Sequence, residues 1–245
     1  MKYPTKECTG GILFCLVAML SGAGLYAQDH AAALNDSTIA VQRTSDFMLT
    51  GDGKETNWNH TGWIRLSRLG NAVEYETSFK IMYSDSGIYC LYRNEDRQIK
   101  ASLSADFDNL YTEDVVEAFF WPDQAARLYF EYELSPLNYE LPILVPNFHG
   151  DFLGWLPWHY KGIRRTRHAV QIDKDEAGSV TGWTAEFFIP FALLKPLQNV
   201  PPRKGSAWKA NFYRIDYDHG EVGWAWRPVI GSFHQVEKYG TLVFK

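Results

Sequence analysis

Short apolar runs separated by turn-forming residues recur along most of the chain, and helical periodicity is almost absent. Runs rich in β-branched and aromatic residues, bounded by Gly, Pro, Asn or Asp, are typical of β-strands. The pattern predicts strands at Glu74–Tyr83, Ile88–Tyr92, Val115–Trp121, Leu128–Leu134, His168–Asp173, Gly182–Ile189, Ala207–Tyr217 and Thr241–Phe244. Many short strands with repeated turns predict an all-β chain folded as an antiparallel β-sandwich.

The strands Val115–Trp121 and Leu128–Leu134 form a predicted hairpin that carries carboxylates where an apolar face is expected. Glu117 lies on the first strand, and Glu131 and Glu133 lie on the second. An unpaired carboxylate inside a sheet costs several kcal/mol, so Glu117 must contact water, a cation or a ligand. The hairpin is therefore predicted to hold something polar.

The first 27 residues have the features of a signal peptide. Lys2 and Lys6 precede an apolar run over residues 11–20, and small residues follow before Gln28. We expect cleavage after Ala27, with Ala23 as the alternative, and export to the periplasm or the extracellular space. Residues 28–48 are predicted to be a frayed lead-in and residues 49–245 the domain. A lipid anchor at Cys15 is disfavoured, because no small residues precede it in the apolar run.

Composition limits the function further. The chain has 245 residues, 46% of them hydrophobic, which is enough for one well-filled core. Its aromatic content of 16% exceeds core needs and suggests a binding surface. The net charge of −5 argues against a nucleic-acid partner. No apolar run after the N-terminus is long enough for a transmembrane segment. Cleavage after Ala27 would leave Cys90 as the single cysteine, which excludes an internal disulfide.

Two loops carry candidate chemistry. Residues 135–167 are predicted to be long and irregular, and their aromatics, Trp155 and Trp158 among them, could pack under the loop or form a binding platform. The loop 94–110 carries Asp96, Asp106 and Asp108, whose oxygens could hold calcium. Their spacing matches no EF-hand, so a solvated acidic loop is the preferred interpretation. Trp58 and Trp63, after the Gly-Asp-Gly turn, are predicted to be core residues.

Six segments in order resemble carbohydrate-binding module family 9 over Leu49 to Lys245. They are the Gly-Asp-Gly turn before Trp58, EDVVEAFFWPD (113–123), YFEYEL (129–134), GWTAEFFIPF (182–191), AWKANFYRID (207–216) and FHQVEKYGTLVF (233–244). The resemblance implies an immunoglobulin-like antiparallel β-sandwich that binds a polysaccharide or oligosaccharide without cleaving it. It also implies structural calcium, and it leaves open an association with glycan-degrading enzymes.

The resemblance places a sugar site on named residues. The two aromatic rings that clamp a terminal sugar in the family fall on Tyr111 and Phe233, where better-studied members have Trp. The polar positions fall on Glu117, Glu131 and Arg214, and the position of Glu131 carries a basic residue in those members. His234, beside Phe233, is a further candidate donor at the rim. Aromatic faces suit sugar C–H groups, and charged groups suit hydroxyls.

Three other interpretations stay open. Glu117, Arg214 and Glu131 could form an internal salt-bridge network without a ligand. Glu117 and Glu131 could act as a retaining glycosidase pair if the hairpin register opposes them, although an Arg beside them would keep both ionised. Haem binding would draw its ligands from Met82, His149, His159 and His234, but the chain has no CxxCH motif. Binding without catalysis is the preferred function.

Overall fold

The computed structural model describes residues 37–70, 75–158 and 161–245, and the predicted signal peptide lies outside this part of the chain. Within these ranges the chain forms fifteen strands: β1 (Thr38–Arg43), β2 (Ile64–Arg65), β3 (Ser67–Leu69), β4 (Thr77–Tyr83), β5 (Gly87–Glu95), β6 (Val115–Trp121), β7 (Leu128–Leu134), β8 (Glu140–Phe148), β9 (Asp151–Phe152), β10 (Leu156–Pro157), β11 (Arg167–Lys174), β12 (Val180–Pro190), β13 (Ala207–Asp216), β14 (Val222–Ala225) and β15 (Gly240–Phe244). Short 3₁₀ helices span Thr56–His60, Leu110–Thr112, Gly162–Arg164 and Val236–Lys238. Within the described residues, no helix has the length and apolarity needed to cross a bilayer.

The strands form two layers. Sheet A has the order β10-β8-β7-β6-β13-β15-β1, with β14 beside β13 and β3 beside β14. Sheet B has the order β1-β4-β5-β12-β11, with β2 beside β4. Every pairing is antiparallel except the two made by β1, which is parallel to β15 and to β4. The all-β sandwich is confirmed, and its sheets are mixed by this single strand.

Strand β1 joins the two sheets and corrects the predicted lead-in. Residues Thr38–Val41 pair with β15 of sheet A, while Gln42 and Arg43 pair with β4 of sheet B. Ile39 and Val41 enter the core, so the alternation of TIAVQR is that of a half-buried strand. Residues 38–43 are therefore part of the sandwich, and the ordered fold begins before residue 49.

The main core lies between the sheets. Phe79 of β4 stacks on Phe212 of β13 with ring centroids 4.1 Å apart, and Phe187 of β12 contacts Tyr132 of β7 at 4.6 Å. Because successive residues of a strand point to opposite faces, β6 turns Val116, Ala118 and Phe120 into this core and Glu117 and Phe119 away from it.

The outer face of sheet A carries a second apolar layer. Phe119, Tyr129 and Tyr213 on this face pack with Leu110 and Tyr239 from the covering segments. Polar side chains on this face of the sheet are therefore buried although they lie outside the sandwich interior. The outer face of sheet B carries a smaller cluster around Trp58 and Met82.

The predicted loop 135–167 contains β8, which pairs with β7 along its length. Pro142 and Pro146 interrupt its sequence and explain why it was not predicted. Proline lacks an N–H, and it is tolerated here because the far side of β8 is covered only by the two-residue strands β9 and β10. Trp158, at the end of this segment, donates to the Leu193 carbonyl at 2.7 Å and packs against the main core.

Arg214 is fully buried between the sheets and is the centre of an ionic network. Its guanidinium donates to Asp216 at 2.5 Å and to Asp96 at 3.0 Å. It also donates to Thr77 Oγ1 and to the Glu95 carbonyl, and thereby connects β13 of sheet A to the strands of sheet B. Burial raises the pKa of Asp96 to about 6, since the ionised carboxylate loses water there.

Substitution of Arg214 should be strongly destabilising, because two buried carboxylates would lose their cation. We expect Arg214→Met to lower the free energy of unfolding by about 3–5 kcal/mol in urea titration. Arg43→Met is the matched control, since Arg43 pairs with Asp85 at 2.5 Å while both side chains are exposed. Equal losses in the two variants would contradict the role of Arg214 as an interior tie.

Candidate functional site

A cavity of about 370 Å³ opens on the outer face of sheet A. This is near the lower end of the range of small-molecule sites, about 300–1,000 Å³. The wall is aromatic and the floor is acidic. The lining residues are Tyr111, Glu117, Phe119, Glu131, Glu133, Ile143, Phe152, Trp155, Ile215, Glu221, Gly231, Ser232, Phe233 and His234.

Strand register gathers the three floor carboxyl groups. Glu117 of β6 lies directly opposite Glu133 of β7, and Glu131 lies opposite Phe119, two residues along the same face. Directly opposed side chains are in contact across a sheet, and diagonal ones remain within reach of long side chains. Glu117, Glu131 and Glu133 therefore form one patch, which we call the carboxyl floor.

The carboxyl floor is buried without compensating charge. Its residues are 2%, 4% and 1% exposed, for Glu117, Glu131 and Glu133 in that order. Among the described residues, neither oxygen of Glu133 nor Oε2 of Glu131 has a partner at full hydrogen-bond geometry, although the Glu131 carboxyl group and the Tyr111 backbone lie close enough to Glu133 to lower its pKa. Burial raises the pKa of Glu133 to about 8, and burial with mutual repulsion raises the pKa of Glu117 and of Glu131 well above the usual range.

His234 lies beside the floor but does not neutralise it. Its Nδ1 is 3.9 Å from Glu131 Oε2 and 2.5 Å from the Tyr129 hydroxyl. Because burial lowers the pKa of His234 to about 4, the ring is uncharged near neutral pH. The imidazole stacks on Phe152, with centroids 4.0 Å apart, and serves as a neutral hydrogen-bonding group.

Phe233 is held in place from below. Its ring stacks on Tyr213 at 4.1 Å with an interplanar angle of 7°. The Tyr213 hydroxyl donates to the Phe233 carbonyl at 2.8 Å, and the Tyr239 hydroxyl donates to the same oxygen at 3.3 Å. A Cβ on Gly223 would lie 3.1 Å from the Phe233 ring, so glycine provides the space for it. This wall of the cavity is preorganised by sheet residues.

Tyr111 is the more exposed of the two predicted clamp rings, with 38% of its surface accessible. It belongs to the 3₁₀ turn before β6, and its carbonyl accepts a hydrogen bond from Tyr217 at 3.0 Å. The backbone is therefore fixed while the ring stays available for contact. Trp155, from the segment after β9, adds an indole ring to the lining.

The cavity collects five of the six residues that the resemblance implied: Tyr111, Glu117, Glu131, Phe233 and His234. The prediction that Arg214 belongs to this site is wrong, because Arg214 lies on the other face of sheet A in the ionic network with Asp96 and Asp216. In β13 it is Tyr213 that lies opposite Glu117, and the next residue must point the other way. The Glu117–Arg214–Glu131 network therefore does not form.

Glu133, Phe152 and Trp155 were missed as site residues. The signal for Glu133 was present in the sequence, since it lies two residues from Glu131 and shares its face of the strand. Phe152 and Trp155 belong to a segment for which a packing role and a binding role were both open. Trp155 lines the cavity, whereas Trp158 packs against the main core.

The structure does not place the residues where the glycosidase and haem interpretations require them. Register opposes Glu117 to Glu133, not to Glu131, and Arg214 is not beside either pair. Met82 lies on the outer face of sheet B and His234 on the outer face of sheet A, so they cannot ligate one iron. His149 is exposed, and His159 lies outside the described residues.

The three loop aspartates do not converge. Asp106 accepts a hydrogen bond from the Glu140 N–H, and Asp108 accepts one from the Ala105 N–H. Asp96 instead lies with Asp216 and Asp218, whose ligand oxygens fall within 4.8 Å of one another. Arg214 already donates to two of these carboxylates, and a guanidinium repels a second cation. These residues do not favour calcium, whose binding stays a prediction.

The carboxyl floor should make stability fall as pH rises above neutrality. The folded chain keeps a proton on Glu133 up to a pKa of about 8, whereas the unfolded chain releases it near 4.5. Stability therefore declines by up to about 1.4 kcal/mol per pH unit for each such proton. We expect the unfolding free energy to fall from pH 7 to 8, where His234 of the unfolded chain, whose usual pKa is 6.5, is largely uncharged.

The matched variants are Glu133→Gln and Glu221→Gln. The first should lower the slope by the contribution of one proton, since Glu117 and Glu131 keep their raised pKa values. The second should leave the slope unchanged because Glu221 is exposed at the mouth. Urea titrations across this pH range measure both slopes. An unchanged slope in Glu133→Gln would show that this carboxyl group is not protonated in the folded chain.

Comparison with known proteins by sequence finds a distant relative. No family model matches the chain. A curated relative, described as an extracellular protein of Arthroderma benhamiae, is 29% identical over 145 residues, a match that spans 56% of this chain and 63% of that protein, less than two thirds of its length.

Solved structures share the architecture. A candidate carbohydrate-binding protein from Bacteroides uniformis has a TM-score of 0.71 at 17% identity, covering 85% of this chain and 99% of that chain. A family 9 module from Caldicellulosiruptor kristjanssonii in complex with cellotriose has a TM-score of 0.62 at 16% identity, covering 85% and 93%. Its complex with glucose has a TM-score of 0.59 at 17% identity, covering 85% and 95%. The predicted resemblance is thus confirmed at the level of the fold: this chain has the β-sandwich of the family 9 carbohydrate-binding modules.

Proposed function

We propose that this chain is an exported, non-catalytic protein that binds an oligosaccharide or the end of a polysaccharide in the cavity on sheet A. The observation that carries the proposal is a preorganised cavity with aromatic walls over a floor of unpaired carboxyl groups. The similarity to modules that bind cellotriose and glucose supports it. So does the signal-peptide pattern of residues 1–27.

The cavity matches the two kinds of surface that a sugar presents. A pyranose ring has apolar C–H faces that pack against the rings of Tyr111, Phe233 or Trp155. Its hydroxyl groups can both donate to and accept from the floor carboxyl groups, which burial keeps protonated near neutral pH. The small volume of the cavity favours the end of a glycan over a long stretch of it.

An association with glycan-degrading enzymes belongs to the same proposal. Binding without catalysis has a use when it holds another protein near a glycan surface, because linking two binding events raises the effective concentration. The fold similarity to carbohydrate-binding modules supports this role.

Glycoside hydrolysis is the alternative function for a cavity with an acidic floor, and we expect no hydrolysis here. A retaining glycosidase needs one ionised carboxylate and one protonated carboxyl group, with environments that push their pKa values apart. Here burial raises the pKa of Glu117, Glu131 and Glu133 in the same direction. Incubation with a panel of oligosaccharides should release no reducing ends; release that Glu117→Gln abolishes would contradict the proposal.

Removal of an aromatic ring should weaken binding without unfolding the chain. A glycan array identifies a bound oligosaccharide, and calorimetric titration then compares variants. We expect Tyr111→Ala to weaken binding by at least about tenfold, equivalent to ~1.4 kcal/mol. The thermal midpoint should change little, since the Tyr111 ring is exposed and only its carbonyl holds structure.

Trp63→Ala is the control for this comparison. Trp63 is also 38% exposed, but it lies near sheet B, where Lys80 and Arg93 stand 4.9 and 4.7 Å from its ring centroid. Its removal should leave affinity unchanged. If Tyr111→Ala binds as tightly as the parent while Trp63→Ala does not, the site lies on the other sheet.

A further inference from the structure

The cavity holds more carboxyl groups than the binding of a neutral sugar requires. Glu117, Glu131 and Glu133 come from two adjacent strands and are each almost fully buried. Among the described residues, no lysine or arginine lines the cavity, and Glu221 adds a fourth acidic group at its mouth. Arg214 on β13, the strand beside β6, points into the sandwich and pairs with Asp96 and Asp216.

Buried oxygens on the floor leave room for donors from a ligand. Both oxygens of Glu133 and Oε2 of Glu131 lack a partner at full hydrogen-bond geometry in the part of the chain that the structure describes. Burial keeps these groups protonated without a ligand, and once ionised they only accept hydrogen bonds. Ionising a buried carboxyl group is costly, and a ligand with positive charge offsets that cost whereas a neutral hydroxyl does so only in part.

The spacing disfavours a bare metal ion. Within the described residues, the group of three acidic side chains with ligand oxygens inside 4.8 Å is Asp96, Asp216 and Asp218, not the carboxyl floor. The floor oxygens are thus more widely spread than a single small cation requires. A ring that distributes several donors suits this spread better, and the aromatic walls supply the stacking surface for a ring.

We propose that the cavity selects a glycan whose bound residue is an amino sugar, with its ammonium group directed at Glu131 and Glu133 and its hydroxyl groups at the rest of the floor. This inference rests on the proposed carbohydrate binding and specifies its ligand class. The ammonium group donates three hydrogen bonds and accepts none, which complements acceptor-only carboxylates. Phe119 and Trp155 border the floor, and aromatic faces attract a cation electrostatically.

Binding of the cation should also release protons. The pKa of each floor carboxyl group is raised, so part of the floor is protonated before the ligand enters. An ammonium group stabilises the carboxylate form, and the displaced protons pass to the buffer. Heat of binding that changes with the ionisation enthalpy of the buffer would report this release, which a neutral sugar should not produce to the same degree.

Three trisaccharides with one backbone test the inference by calorimetric titration of the whole chain at pH 6.5. Cellotriose, the β-1,4 trimer of glucosamine and its tri-N-acetylated form differ only at C2, which carries a hydroxyl, an ammonium or an acetamido group. An amino group with a pKa near 8 is charged at this pH. We expect the glucosamine trimer to bind at least about tenfold more tightly than either neutral trimer.

Variants locate the preference. Glu133→Gln and Glu131→Gln should each remove most of the advantage of the amino trimer, and both should fold because a neutral amide replaces a carboxyl group that burial keeps protonated. Glu237→Gln makes the same change of net charge at an exposed position that does not line the cavity, and it should keep the advantage. If the amino trimer still binds more tightly than the neutral trimers in both floor variants, the inference is overturned. The preference would then reflect a general attraction of a cation to an acidic chain.

The other outcomes separate the inference from the function beneath it. Equal or tighter binding of cellotriose would overturn amino-sugar selection and leave carbohydrate binding intact. Spermidine, a cation without a ring, should bind more weakly than the amino trimer; equal affinity would identify a polyamine site and overturn the inference. Failure of all three trimers, with neutral glycans bound on the array, would overturn it as well, whereas failure of every glycan would overturn the proposed function.

Discussion

The pairing of β6 with β7 and β13 is the constraint on which the site depends. Period-two alternation divides these strands between the sandwich core and the outer face, and the register decides which side chains meet. Glu117 lies opposite Glu133 on the outer face, while Arg214 is directed inward one position away from Tyr213. A shift of one residue in this register would exchange the two faces and dismantle both the core and the cavity.

The two faces of sheet A carry two buried polar clusters that differ in how their charges are compensated. Between the sheets, Arg214 contributes donors to Asp96 and Asp216 and ties sheet A to sheet B. On the outer face, Glu131 and Glu133 have oxygens without partners in the described chain. A buried network whose opposite charges are paired is structural, whereas buried carboxyl groups without a cation beside an open cavity are expected to be completed by a ligand. This contrast is the physical reason to assign binding to the outer face.

Much of the fold could be predicted because alternation of apolar and polar residues identifies a strand in the sequence. β6 and β7 have the predicted bounds, and β13 differs by one residue at its end. β8 could not be predicted because its prolines are typical of a loop, and β1 was missed because the longer segment 29–43 around it is polar and Ala-rich. Five of the six predicted site residues lie at the cavity. Arg214 does not, since residue type alone does not fix a face and the register of β6 against β13 is a tertiary property.

The central claim is that the cavity on sheet A, between Tyr111 and Phe233, is where the chain holds a sugar. A crystal structure of the chain with the tightest-binding trisaccharide tests it most directly. The account predicts one sugar ring inside the cavity, in contact with an aromatic wall and with its polar groups within hydrogen-bond distance of Glu131 or Glu133. A sugar bound elsewhere, for example beside Trp63 on sheet B, with the carboxyl floor left in contact with solvent alone, would contradict it.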